Sequence, residues 1–138
     1  MMADSVIGQV LEAVIEMAQD TNPYANITIG PLPPNNGITM TISGGWPDST
    51  FLTKGMAYEL GLVLNGKHSN AQTVCDALNN IHQALTQTKT YPRTDTYQIT
   101  NIETTSSPAY LGVEPNKQIL YGSGLRVKFF YKNKEDEQ

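Results

Sequence analysis

The chain has 138 residues, 9 of them basic and 13 acidic, and a formal net charge of −4. That length suits one domain able to bury roughly two-thirds of its unfolded-chain surface, and the acidic balance argues against a protein that grips a nucleic-acid backbone. The single Cys75 excludes an internal disulfide framework. No apolar run of roughly 18 residues offers a membrane span, and no basic segment leads into an apolar secretory one, so synthesis in the cytoplasm is expected.

Charged residues make up 16% of the chain, below the roughly 25% usual for soluble domains. A surface of Thr, Asn, Gln and Ser in their place has little long-range repulsion with which to resist association.

The first predicted element is a helix from Asp4 or Ser5 to about Gln19. Val6, Ile7, Val10, Leu11, Val14, Met17 and Ala18 form its apolar stripe, while Gln9, Glu12, Glu16 and Gln19 face water. Pro23 ends the run. Ile27 and Ile29 suggest a short strand, and the Gly30-to-Gly37 stretch, dense in proline and asparagine, reads as a loop. Ile38, Met40 and Ile42 alternate with threonines as a half-buried strand. The segment from Ser43 to Ser49, with Gly44, Gly45, Trp46 and Pro47, then reads as a second loop.

A long strand follows, with Met56, Tyr58, Leu60, Leu62 and Leu64 at every second position and therefore on one face. Asn65 and Gly66 carry turn chemistry that should end it. Ser69 with Gln72 three residues on forms a capping-box pattern. Behind it, Ala71, Val74, Cys75, Leu78, Ile81, His82 and Leu85 make the apolar stripe of a second helix. Residues 86–94 read as a connection. A strand over 96–103 places Tyr97 and Ile99 on one face and Ile102 on the other. Residues 104–117 read as a long loop around Pro108 and Pro115. The last strand runs from Gln118 to about Lys132, with Ile119, Tyr121, Leu125, Val127, Phe129 and Tyr131 on one face, Arg126, Lys128 and Lys132 on the other, and Gly122 and Gly124 marking a bulge or bend. Residues 133–138 form a charged, flexible tail to a single domain over 1–132. The whole is α+β, a mostly antiparallel sheet of about five strands with two helices packed on one face.

Catalytic and ligating chemistry finds little support. His68 and His82 stand fourteen apart with no Cys or carboxylate at ligand spacing. His82 and Cys75 lie at core positions of the second helix, and no partner is placed to activate the thiol. Glu12, Glu16 and Asp20 share the solvated face of the first helix. Gly122-Ser-Gly124 lacks the lysine and the following helix of a phosphate loop. Asn26-Ile-Thr28 matches a glycosylation acceptor by chance. No catalytic, cofactor-binding or metal-binding residue is expected, and the alternative of a small α+β enzyme or ligand-binding domain would need a pocket of converging polar groups. Two stretches look suited to contact instead. Trp46 and Pro47 form one, tryptophan being enriched at interface hot spots. Tyr110, Leu111 and Val113, in an apolar run between two prolines, form the other.

The order of elements, the alternating strand over 55–64, the segment Ser107-Pro-Ala-Tyr-Leu-Gly112 and the final strand ending Arg126-Val-Lys-Phe-Phe-Tyr131 together resemble the small minor capsid or tail-terminator proteins of long-tailed bacteriophages. That resemblance covers nearly the whole chain as a layout. It implies a structural virion protein, assembled from the host cytoplasm, that forms a homo-oligomeric ring, commonly a hexamer, capping the tail tube. The implied partners are further copies of itself, the major tail tube protein and a head-side connector or stopper protein, with no nucleic acid and no membrane. Another head–tail connector or neck protein is the alternative within the same setting. In either, Trp46, Pro47, Tyr110, Leu111 and Val113 are the expected contact residues.

Overall fold

A computed structural model describes residues 6–50 and 55–132, with side chains described outside 46–50, 55, 56 and 132. The expected tail lies beyond the described residues. Two helices and five strands follow in the order α1 (Val6–Gln19), β1 (Ile27–Thr28), β2 (Gly37–Thr50), β3 (Gly55–His68), α2 (Ala71–Gln87), β4 (Tyr97–Val113) and β5 (Ile119–Lys132). The sheet order is β1-β2-β3-β5-β4. Every pairing is antiparallel except the two-residue β1 against β2.

The predicted stripes are what the fold buries. Val10, Leu11, Val14 and Ala18 of α1 and Val74, Leu78, Ile81 and Leu85 of α2 are fully buried. They meet Met40, Leu60, Leu62, Leu64, Leu125, Val127 and Phe129 on one face of the sheet in a single cluster. Enclosing a leucine or phenylalanine in such a cluster contributes on the order of 1.5–3 kcal/mol, and this face-on-helix burial is the chief source of stability. Ser123, the one polar member of its strand face, satisfies its hydroxyl by donating to the Leu64 carbonyl at 2.7 Å.

Several expectations fail where turn-forming residues are absorbed into strands. Asn65 and Gly66 do not end β3; pairing continues through Lys67 and His68 against Leu120 and Ile119. Gly66 is required there because α2 crosses directly over it, and a Cβ would come within 2.9 Å of Val74 Cγ2. The helix cap is Asn70 rather than Ser69: its Oδ1 accepts from the Thr73 amide at 3.1 Å. Gln72 donates along the helix to Asp76 instead of closing a capping box. Cys75 is half-buried at the margin of the stripe, accepting from Asn79 Nδ2 at 3.4 Å, and is not a core residue.

The two predicted loops, 43–49 and 104–117, are largely strand. β2 carries its glycines and Pro47 through register shifts between Ile42 and Gly44 and between Pro47 and Ser49. β4 does the same with four shifts, and Pro108 occupies one of them, between Ser106 and Ala109. Bulges tolerate residues that cannot donate to a ladder. Only the tight turn after Val113 remains, closed by Glu114 N to Gln118 O at 2.8 Å and Lys117 N to Glu114 O at 2.8 Å. The shift between Ile99 and Asn101 also returns Ile102 to the core face, so Tyr97, Ile99 and Ile102 are buried together rather than on opposite faces. Conversely, β5 pairs with β3 without a break. Gly122 and Gly124 leave that pairing unbroken and stand opposite the bulge of β4 between Ser106 and Ala109; they make room for Leu111 and Thr105 of β4, which would stand 2.8 and 2.6 Å from an added Cβ.

Candidate assembly surface

Strand order leaves two long edges. β1 covers β2 only at Ile38 and Thr39. The outer side of β4 is covered only at its start, where Arg93 bridges Gln98 and the Ile99 amide donates to the Pro92 carbonyl at 3.2 Å. The remaining lengths, 40–50 of β2 and 100–113 of β4, have no strand beside them among the described residues. They run in opposite directions, since three antiparallel steps separate them. Neither 37–47 nor 104–113 contains a charged residue. Natural edges are ordinarily protected by lysines, prolines and bulges; here bulges, Pro47 and Pro108 are present, no lysine lies on either uncovered length, and the charges there are Asp48 and Glu103.

Tyr110, Leu111 and Val113 lie at the end of β4, exposed by 59%, 63% and 57%. Tyr110 packs edge-on against Tyr121, with ring centroids 6.1 Å apart. Gly112 takes a φ of 152°, which an L side chain rarely adopts, and sits beside the last register shift of β4. That kink lets Leu111 fold over Gly122 instead of following a plain alternation. Trp46 and Pro47 belong to β2, opposite Glu59 and Tyr58 of β3; their side chains lie outside the described residues. Following the register across the sheet, Trp46 is level with Asn101 while Tyr110 is level with Gly66 and Ile38. The two contact candidates therefore occupy opposite edges and opposite ends of the sheet, and one chain does not bring them together.

The helix-free face holds charge pairs that sequence reading did not assemble. Arg126 of β5 reaches Glu59 of β3 at 3.3 Å and Glu103 of β4 at 3.1 Å, and Lys128 stands 4.0 Å from Glu103. The outward positions of Arg126 and Lys128 were visible in the alternation; their partners depended on the register. These pairs are solvent-accessible, and each contributes at most about 1 kcal/mol.

A stronger brace lies at the turn end of the sheet. Lys67 is 4% exposed, and its Nζ meets Glu114 Oε1 at 2.7 Å, with the glutamate side chain 33% exposed. Around it, the Asn36 amide donates to Gln118 Oε1 at 2.7 Å, and Asn116 Nδ2 donates to the Pro34 carbonyl at 3.0 Å. The Tyr24 hydroxyl lies 2.9 Å from the carbonyls of both Gly37 and Lys67. Burial, offset in part by the Lys67 carbonyl, pushes its pKa up to about 12, so it remains a donor at any working pH. Glu114→Ala is expected to cost about 1–3 kcal/mol, because it strands a buried ammonium. Urea unfolding at constant pH checks this, and Lys67→Met/Glu114→Ala should recover part of the loss.

Glu12, Glu16 and Asp20 are exposed, as the stripe predicts, and line an open cleft with Tyr97. Burial and, secondarily, Glu16 hold the Tyr97 hydroxyl above its ordinary pKa. Among the described residues no three His, Cys, Asp or Glu side chains converge to hold a metal ion, and no helix is long and apolar enough to cross a membrane.

No protein-family model matches the chain, and no curated protein matches it. Among solved structures it is similar to a chain of the virion of a native gene transfer agent particle, with a TM-score of 0.59 and 11% identity. The match covers 86% of this chain and 92% of that one. At that identity the likeness is one of fold: an α+β domain with the architecture of a virion-particle component.

Proposed function

We propose that the chain is a structural protein of a phage-like virion, a ring-forming subunit that caps the tail tube and joins it to the head. The observation that carries this reading is the fold shared with the gene transfer agent virion chain over nearly the full length of both. The edges supply a physical route to a ring. A cyclic assembly needs two different, complementary patches on each subunit, joined head to tail with a rotation that closes. Here β4 and β2 are uncovered at opposite sides of one sheet and run in opposite directions. Copies related by rotation about an axis along the strands would set β4 of one antiparallel to β2 of the next. Register places 40–46 of β2 level with about 101–107 of β4, within the uncovered part of each. The exposed Tyr110, Leu111 and Val113 add apolar contact area beside that seam. Trp46 and Pro47 lie on the matching strand of the neighbour. Six copies is the number the resemblance to tail terminators implies; the tube protein on one side and a connector or stopper on the other are the implied partners.

Light scattering over a wide concentration range, with electron microscopy of any large species, tests the proposal. Closed rings of uniform size are expected, alone or on isolated tail tubes. A chain that stays monomeric and binds neither tubes nor heads overturns it, and rings that bind heads but not tubes reassign it to the connector side of the neck.

A further inference from the structure

His82 of α2 is 5% exposed and lies where the helix crosses the bulged middle of β4. Its Nδ1 is 2.8 Å from Thr104 Oγ1, and its Nε2 is buried with no hydrogen-bond partner among the described residues. Thr104 is the residue immediately before a register shift in β4. The surroundings favour one tautomer. With the proton on Nδ1, the ring donates to Thr104 and leaves Nε2 with only a lone pair. The other tautomer would bury an N–H with no acceptor, the costlier defect.

We propose that His82 is an acid-sensitive latch between α2 and the edge strand β4: neutral, it holds the bulged stretch around Thr104 against the helix, and charged, it releases that stretch and the outer part of β4 with it. A charged ring must carry protons on both nitrogens, and Nε2–H would then stand buried without a partner. Among the described residues no charged side chain is placed to offset that charge. The side chains that line the cleft beside the ring are Asn79, Gln83, Thr86 and Gln87 from α2 and Thr104, Ser107 and Pro108 from β4, none of them titratable. Glu103, Arg126, Lys128 and Glu59 pair with one another on the opposite face of the sheet, and Lys67 pairs with Glu114. Burial accordingly holds the ring below the ordinary histidine range.

The direction of the effect follows. The unfolded or released chain binds the proton more readily than the docked one, so docking is unaffected above about pH 6.5 and weakens as pH falls below it toward the folded-state value. Among the described residues this is the hydrogen bond between α2 and β4; their apolar residues Ile81, Leu85, Ile99 and Ile102 stay packed and β4 stays paired with β5, so the loss is local to the bulged stretch. The latch stands whether or not the chain forms rings.

Amide hydrogen exchange, corrected for intrinsic rates, tests this on the wild-type chain and on His82→Gln at about pH 7.5 and pH 5. In the wild type, protection across 102–107 should fall relative to β3 between the two values, by at most about thirtyfold, the limit set by a normal pKa of about 6.5 read at pH 5. His82→Gln, neutral throughout, should show the same β4 protection at both values. An equal fall in both proteins, or no fall in the wild type, overturns the latch. If the variant does not fold, nitrogen NMR of the wild-type imidazole decides, with His68 as the second histidine signal. An Nδ1–H ring that stays neutral below about pH 6.5 supports the latch; a ring that charges at or above that value overturns it.

Discussion

Replacing Gly66 by alanine is expected to cost about 2 kcal/mol of stability, and by valine more, while the same alanine at Gly44 changes stability by no more than about 0.5 kcal/mol. Both glycines lie within strands, so intrinsic preference treats them alike: alanine restricts the unfolded chain more and should stabilise slightly. The surroundings decide the sign. At Gly66 a Cβ would meet Val74 Cγ2 at 2.9 Å, Tyr24 Oη at 3.0 Å and Leu78 Cδ2 at 3.4 Å, whereas at Gly44 it would meet nothing within 4 Å. None of the three neighbours of Gly66 can yield freely. Val74 and Leu78 are fully buried, and Tyr24 is held against the carbonyls of Gly37 and Lys67. Moving the tyrosine loosens the same corner that contains the Lys67–Glu114 pair. Differential scanning calorimetry should show a drop of roughly 3–4 °C per kcal/mol for a domain of this size. An unchanged midpoint for Gly66→Ala would mean that α2 does not sit directly on β3.

The same glycine shows where sequence reading succeeds and where it stops. Periodicity reports which residues face a core, and it did so for both helices, for β3 and for β5, because burial acts on every second or every third-to-fourth side chain and leaves a regular trace. It also excluded Glu12, Glu16 and Asp20 from the interior. What it could not report is why a glycine or proline is present. Asn65–Gly66, Gly44–Gly45, Pro108 and Gly122 all carry turn-forming residue types, and each serves a strand instead. Gly66 and Gly122 admit a crossing side chain from a distant part of the chain, and Pro108 fills a bulge. Those causes are tertiary and leave no local signature. The bulge between Ile99 and Asn101 is a further case, since one extra residue inverts the apparent face of everything after it. The contact candidates fared accordingly. The exposure of Tyr110, Leu111 and Val113 was legible because an uncharged apolar run outside any stripe has no local use. Their position on the uncovered edge of a 17-residue strand was not.

Leu111→Asp should abolish self-association while leaving the fold intact. Leu111 is the most exposed of the large apolar side chains among the described residues, so its replacement removes little buried area and should move stability by no more than about 0.5 kcal/mol. Tyr110 is the less clean probe. Its contact with Tyr121 contributes on the order of 1 kcal/mol within the subunit, and truncation mixes folding with assembly. If Leu111 is buried at the subunit seam, however, an aspartate there places an unpaired charge among apolar groups. Loss of one such anchor weakens each contact by at least about 2 kcal/mol, roughly thirtyfold, and a closed ring repeats that loss at every seam. Sedimentation velocity at matched concentrations should therefore show the wild type as a single large species and Leu111→Asp as a monomer, with superimposable circular dichroism and melting curves. Alanine at both Tyr110 and Leu111 should give a weaker, concentration-dependent version of the same shift. If both variants assemble as the wild type does, the end of β4 is not at the seam. The subunit contact must then be carried by the strand edges alone or by the helix-free face, where the Glu59–Arg126–Glu103 pairs would become the next residues to reverse in charge.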